Sequence, residues 1–176
     1  MMSRRSLGIL AAVALGVVAV FSWSAARHVD PVRVGGPAPQ FQAFTVDAPF
    51  VERSLADYAD NIVIVNIWAT WCAPCIVEMP SLEALHKRYA KDGLRIVGVS
   101  VDAPGSMERI REFRDRLGLT FDILHDAADI RATYQTAGVP ESFVIGRDGL
   151  IRRRVFSAED WDSESNRKLI EQLLGS

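Results

Sequence analysis

Cysteine is nearly absent from this chain: 176 residues hold two, Cys72 and Cys75, and only three histidines, His28, His86 and His125. A structural zinc site needs four such ligands, and no histidine here stands at a paired ligand spacing, so no metal is expected. A surplus of positive charge is missing too. The formal net charge is -2, and setting aside the first 27 residues, with three arginines and no acid, leaves 17 basic against 22 acidic side chains. That balance speaks against a nucleic-acid partner. Repeats and low-complexity tracts are also lacking. What remains, 49% hydrophobic and 24% charged residues, is ordinary for one globular domain with a real core.

The N-terminus carries an export pattern. Arg4 and Arg5 precede an uncharged stretch over residues 6–26, whose core at 7–23 is almost wholly apolar. That core stands at the lower limit for spanning a bilayer. Ser24-Ala25-Ala26 offers a small-residue cleavage site, so residues 1–26 are read as a membrane anchor or a signal segment, the uncleaved anchor being preferred. The leading arginines hold the N-terminus in the cytoplasm and place the rest outside. The expected location is therefore the bacterial cell membrane, single-pass, with the domain on the periplasmic or extracytoplasmic side; cleavage would release it to the periplasm. Ser3-Arg4-Arg5-Ser6-Leu7 also resembles a twin-arginine signal, with leucine in the phenylalanine position.

Residues 27–40 are rich in proline and glycine without a period and read as a tether. The folded domain is expected over 41–176. Residues 62–68 (IVIVNIW) form a short, nearly continuous apolar run, the pattern of a strand buried on both faces. Ile76, Met79, Leu82, Leu85 and Tyr89 then recur at helical spacing, with a kink expected at Pro80 and a stop at Gly93. A second buried strand is expected over 94–101, an amphipathic helix over 107–117 and a short strand over 121–124. Residues 142–145 and 150–155 flank Gly146-Arg147-Asp148-Gly149, a hairpin turn signal. A closing helix follows over 163–174. The fold class is thus α/β, a mixed sheet with helices on both faces.

Trp71-Cys72-Ala73-Pro74-Cys75 follows directly on the buried strand and opens the helix. A thiolate at a helix N-terminus is stabilised by unpaired backbone donors and the positive end of the helix dipole, which makes Cys72 the expected nucleophile. The two-residue spacing lets Cys75, one turn later and more buried, resolve a mixed disulfide. A purely structural disulfide is a poor alternative, because so short a loop removes little unfolded-state entropy. Glu78 lies three residues beyond Cys75 on the same helix face, where it either exchanges the Cys75 proton or is an exposed acid of the first turn.

The strings VNIWATWCAPCIVEMPSL and GVPESFVIGRDG resemble the membrane-anchored thioredoxin-like proteins of the TlpA, ResA and CcmG group, from Gly36-Pro37-Ala38-Pro39 to the last helix. The resemblance implies a thioredoxin-like mixed sheet flanked by helices, with an N-terminal extension and a central extra βα element. It implies a cis Pro140 beside the dithiol, a Val139 whose backbone pairs with the substrate, and an active-site role for Glu78. Cytoplasmic-type thioredoxins carry a buried aspartate six residues before the first cysteine; Asn66 holds that position here and cannot shuttle protons. Trp71 is expected in the surface around the thiol and Trp68 in the core. Glu141 either reads a substrate charge or is a solvated loop acid, and Arg152 to Arg154 form a solvated hairpin face. Gly146, where family members often place aspartate, is a departure, as is the lack of a glycine near Phe156.

The expected activity is thiol-disulfide exchange with no cofactor beyond the Cys72–Cys75 pair. Ala73-Pro74 resembles the Gly-Pro of reducing thioredoxins more than the Pro-His of strong oxidants, which favours disulfide reduction. By resemblance the partners are protein disulfides such as those of apocytochrome c or of a copper-site protein, and a membrane electron donor of the thiol-transporter type. A peroxiredoxin-like peroxidase is a rival reading, although the proline and threonine that such enzymes carry before the cysteine are Val65 and Ala69 here. A non-catalytic binding module for a thiol protein is another.

Overall fold

The computed structural model describes residues 31–175. The expected membrane segment at 1–26 lies outside the described residues; among those described, no helix is long and apolar enough to cross a membrane. Seven strands form one sheet in the order β2-β1-β5-β4-β3-β6-β7. They are β1 (Ala43–Thr45), β2 (Glu52–Arg53), β3 (Ile62–Trp68), β4 (Leu94–Ser100), β5 (Asp122–Asp126), β6 (Glu141–Ile145) and β7 (Ile151–Val155). The helices are α1 (Ala73–Tyr89), α2 (Met107–Leu117), α3 (Ile130–Thr133) and α4 (Glu164–Leu174), with a 3-10 turn at Leu55–Tyr58. β3, β4 and β5 pair in parallel and the other neighbours antiparallel, so the sheet is mixed. β1 and β2 lie at the N-terminal edge of the sheet, and α2, β5 and α3 stand between β4 and β6 in the chain.

β3 is central, and all seven of its residues are buried, which is why its sequence does not alternate in polarity. Its side chains still alternate between two cores. Ile62, Ile64 and Trp68 pack with Met79, Leu82 and Leu85 of α1, Ile110 and Phe113 of α2 and Ile170 of α4. Val63, Val65 and Ile67 face the opposite core with Phe41, Leu55, Ile130, Tyr134 and Phe143. The long helices thus cover one face, and short elements together with the N-terminal segment cover the other. Trp68 and Phe113 meet ring to ring at 4.6 Å, tying β3 to α2 just below the cysteines.

The domain begins earlier than the expected Phe41: the compact unit starts at Val32. Part of the supposed tether, residues 35–38, pairs with the end of the hairpin turn and the first residue of β7. Gly35 N–H donates to Ile151 O (2.8 Å), Ile151 N–H to Gly36 O (2.9 Å) and Ala38 N–H to Gly149 O (2.9 Å). An edge strand with unpaired backbone groups is a liability, and this segment satisfies those of Ile151 at the start of the strand without needing a periodic sequence. The expected hairpin forms, and Gly149 takes the left-handed φ of +76°. A Cβ at residue 146 would stand 2.8 Å from both Arg152 Nε and Asp148 Oδ1, so glycine there leaves room for the Arg152–Asp148 ion pair (2.5 Å).

Candidate active site

Cys72 caps α1. Its Sγ accepts the Cys75 N–H at 3.2 Å, and Pro74 sits within the first turn, where a missing N–H costs nothing. The helix continues through Pro80 to Tyr89. Cys72 and Cys75 are joined as a disulfide. Cys72 is 4% exposed and Cys75 0%, so the outer sulfur belongs to the residue at the helix tip.

The short loop between β3 and Cys72 is held by a residue that the sequence pattern did not single out. The Asp102 carboxylate accepts the Thr70 N–H (2.8 Å), the Thr70 hydroxyl (2.6 Å) and the Ser100 hydroxyl (2.7 Å), and it pairs with Arg109 at 3.3 Å. Burial pushes this carboxyl up, but the hydrogen bonds from Thr70 and Ser100 outweigh it and hold the group below its ordinary range. A charge-assisted clamp therefore fixes the backbone one residue before Trp71. Trp71 itself is 65% exposed.

Val139 and Pro140 are joined by a cis peptide bond. The Val139 carbonyl oxygen lies 3.5 Å from Cys72 Sγ, so the loop before β6 borders the outer sulfur. Its opposite side is pinned by Glu141. That residue reads in the sequence as a possible contact for a substrate charge or as a solvated acid; the structure corrects both. Glu141 is 1% exposed, pairs with Arg154 at 2.5 Å and accepts the Ala137 N–H at 3.0 Å. Arg154 also donates to Val32 O and Gln135 O and lies over the Phe143 and Phe156 rings, so the hairpin arginines are not simply a solvated face.

Glu78 is not an exposed first-turn acid either. It is 2% exposed and accepts from Asn66 Nδ2 (2.7 Å), Glu159 N–H (3.3 Å) and Trp161 Nε1 (3.3 Å). Asn66 also donates to Ser142 Oγ at 2.8 Å, which orients its amide. Burial raises the Glu78 carboxyl to about 7, against the opposing pull of those donors. A cleft of about 220 Å³ is lined by Val77, Glu78, Ser81, Ala158, Glu159 and Asp160. A group half ionised at neutral pH, one helical turn from Cys75, is suited to accept and return a proton.

The family model described as AhpC/TSA matches residues 34–154. The chain belongs to the AhpC/TSA family. Within it, the chain is 38% identical over 122 residues to the thioredoxin-like protein YneN of Bacillus subtilis (strain 168), covering 69% of this chain and 70% of that protein. It is 36% identical over 123 residues to the thiol-disulfide oxidoreductase ResA of Geobacillus kaustophilus (strain HTA426), covering 69% and 68%. A crystal structure of a putative thiol:disulfide interchange protein DsbE from Chlorobium tepidum superposes with a TM-score of 0.73 at 25% identity, covering 82% of this chain and 99% of that one. This AhpC/TSA member is a thiol-disulfide oxidoreductase, and Cys72–Cys75 is its redox pair.

Sequence reasoning missed Asp102, Ser142 and Trp161 and took Arg154 for part of a solvated face, although all four stand around the site. Arg154 meets Glu141 across the hairpin, and Trp161 meets Glu78 from 83 residues away. The one available signal was a lone aspartate at the end of a buried strand.

Proposed function

We propose that the protein reduces disulfides of particular exported proteins, with Cys72 as nucleophile, Cys75 as resolving thiol and Glu78 as proton acceptor. The observation that carries this reading is the buried Glu78 carboxyl, raised to about 7, one turn beyond a cysteine pair at a helix N-terminus. The Cys72 thiolate attacks one sulfur of the substrate disulfide. A Cys72–substrate bond forms, the substrate S–S bond breaks, and the departing sulfur leaves as a thiolate that takes up a proton. Cys75 then loses its proton to Glu78 and attacks Cys72 Sγ, closing the Cys72–Cys75 disulfide and releasing the second substrate thiol. Two electrons pass from the enzyme dithiol to the substrate, and a dithiol donor in the membrane restores the enzyme.

The exposed Trp71 and the Val139 backbone border the outer sulfur and form the docking edge for an extended substrate segment. The N-terminal export pattern supports a domain tethered outside the cytoplasmic membrane. There the substrates are haem-attachment cysteines of apocytochrome c or cysteines of a copper centre. Peroxide reduction finds no support: Ala69, buried at the position of the peroxiredoxin threonine, has no hydroxyl, and Val65 stands in the place of the proline.

Expression of Cys75→Ser in the native membrane tests the proposal. Resolution is blocked, so a few substrates should accumulate as reducible mixed disulfides through Cys72, among them an apocytochrome or a copper-site protein. Adducts with Cys72→Ser instead would reverse the roles, and adducts with neither would refute the reductase reading.

A further inference from the structure

α2 carries four arginines, and their pairing is uneven. Arg111 pairs with Glu108 and Arg114 with Asp47 and Asp115. Arg109 and Arg116 are left with less. Arg109 has a side chain 58% exposed and shares Asp102 with Thr70 and Ser100, while Ser106 Oγ accepts from its Nη2 at 2.5 Å. Arg116 lies 5.5 Å from the Phe113 ring centroid, and among the described residues no carboxylate pairs with it. Arg109, Glu112, Phe113 and Arg116 stand at positions i, i+3, i+4 and i+7, one stripe of the helix. With Thr70 and Trp71 that stripe walls a groove of about 270 Å³. The groove therefore begins one residue from the Cys72 sulfur.

We propose that this groove is a substrate subsite that takes an acidic residue close to the reacting cysteine of the target polypeptide, with Arg116 and Arg109 contacting its carboxylate and Trp71 and Phe113 forming the walls. The proposal rests on the reading that Cys72 attacks protein disulfides. Trp71, next to Cys72 in the chain and 65% exposed, borders the side of the sulfur that faces α2. At roughly 3.3 Å per residue, a side chain two or three positions along an extended chain reaches α2. Guanidinium groups favour carboxylates through paired, planar hydrogen bonds. Arg109 is already offset by Asp102 and Glu112 also lines the groove, so the attraction rests on Arg116, with which no carboxylate among the described residues pairs, in a domain whose overall balance is acidic. Arg109 is fixed by the same Asp102 that clamps the loop before Trp71, so both sides of the groove share one anchor.

The test uses the pre-reduced full-length protein and three short peptides, each with one internal disulfide flanked by aspartate, alanine or lysine. Single-turnover rate constants are compared as the aspartate-to-lysine ratio. Wild type should prefer the aspartate peptide by about fivefold at low salt, the factor that one exposed ion pair supplies, and added salt should shrink the preference. Arg116→Glu should bring the ratio to one or below. Should that variant fail to fold, Arg116→Gln should still reduce the preference by half or more. A wild-type ratio near one, or an unchanged ratio in the variants, overturns the subsite while reduction of the alanine peptide upholds the reductase reading. If wild type reduces no peptide at all, the reductase reading fails and the subsite falls with it.

Discussion

Glu78→Gln separates the electrostatic cost of the buried carboxyl from its packing. Glu78 is raised from 4.5 to about 7 in the folded protein. Below pH 4.5 it is protonated in both the folded and unfolded states and costs nothing. As pH rises from 4.5 towards 7, the unfolded chain releases the proton and the folded chain keeps it, so wild type loses stability until the folded group also ionises. A rise of this size corresponds to about 3 kcal/mol, fully lost above neutral pH. Glutamine does not titrate, so the stability difference between the oxidised variant and wild type should move in favour of the variant by about 3 kcal/mol from pH 4 to pH 8. Urea unfolding across that range reads the change. A constant offset is expected besides, because the amide places a donor where Asn66, Glu159 and Trp161 all donate; only the pH dependence carries the argument. Stability curves that stay parallel would refute the buried, raised carboxyl. In catalysis, the Cys75-dependent step of wild type should bend near pH 7 and that of the variant should not.

Asp102→Asn keeps the shape of the clamp but turns one acceptor into a donor facing Thr70 or Ser100, and should destabilise by about 1–3 kcal/mol while speeding hydrogen exchange at Thr70 N–H; unchanged exchange would contradict the clamp. Glu141→Gln leaves the Arg154 charge without its partner and should cost about 3 kcal/mol in denaturant unfolding, a typical loss for one half of a buried pair. A loss below about 0.5 kcal/mol would return Glu141 to the surface role.

The features legible in the sequence are those whose cause is local. β3 shows as a run of branched residues, α1 and α2 as helical spacing of apolar side chains, the β6–β7 hairpin as Asp148-Gly149, and the dithiol as a pair at a strand-to-helix junction. β1 and β2, with three and two residues, are too short for any period to register. Residues 32–38 look like a tether because they are held by the backbone of Gly149 and Ile151 and by the Arg154 side chain, which no side-chain pattern within the segment reports. Glu141 looks solvated because its partner is Arg154 across the turn. The surroundings of Glu78 were illegible for the same reason: Asn66 comes from β3 and Trp161 from the segment before α4, so burial of the carboxyl is a property of the assembled fold.

Disulfide exchange at this site needs Cys72 to attack and Cys75 to resolve. Brief alkylation of the reduced protein with iodoacetamide near neutral pH, followed by mass mapping of the two thiols, tests it most directly. Cys72 caps the helix and is 4% exposed, whereas Cys75, one turn in, is 0% exposed. Cys72 should therefore be modified faster by about tenfold or more. Equal rates, or faster modification of Cys75, would contradict the account.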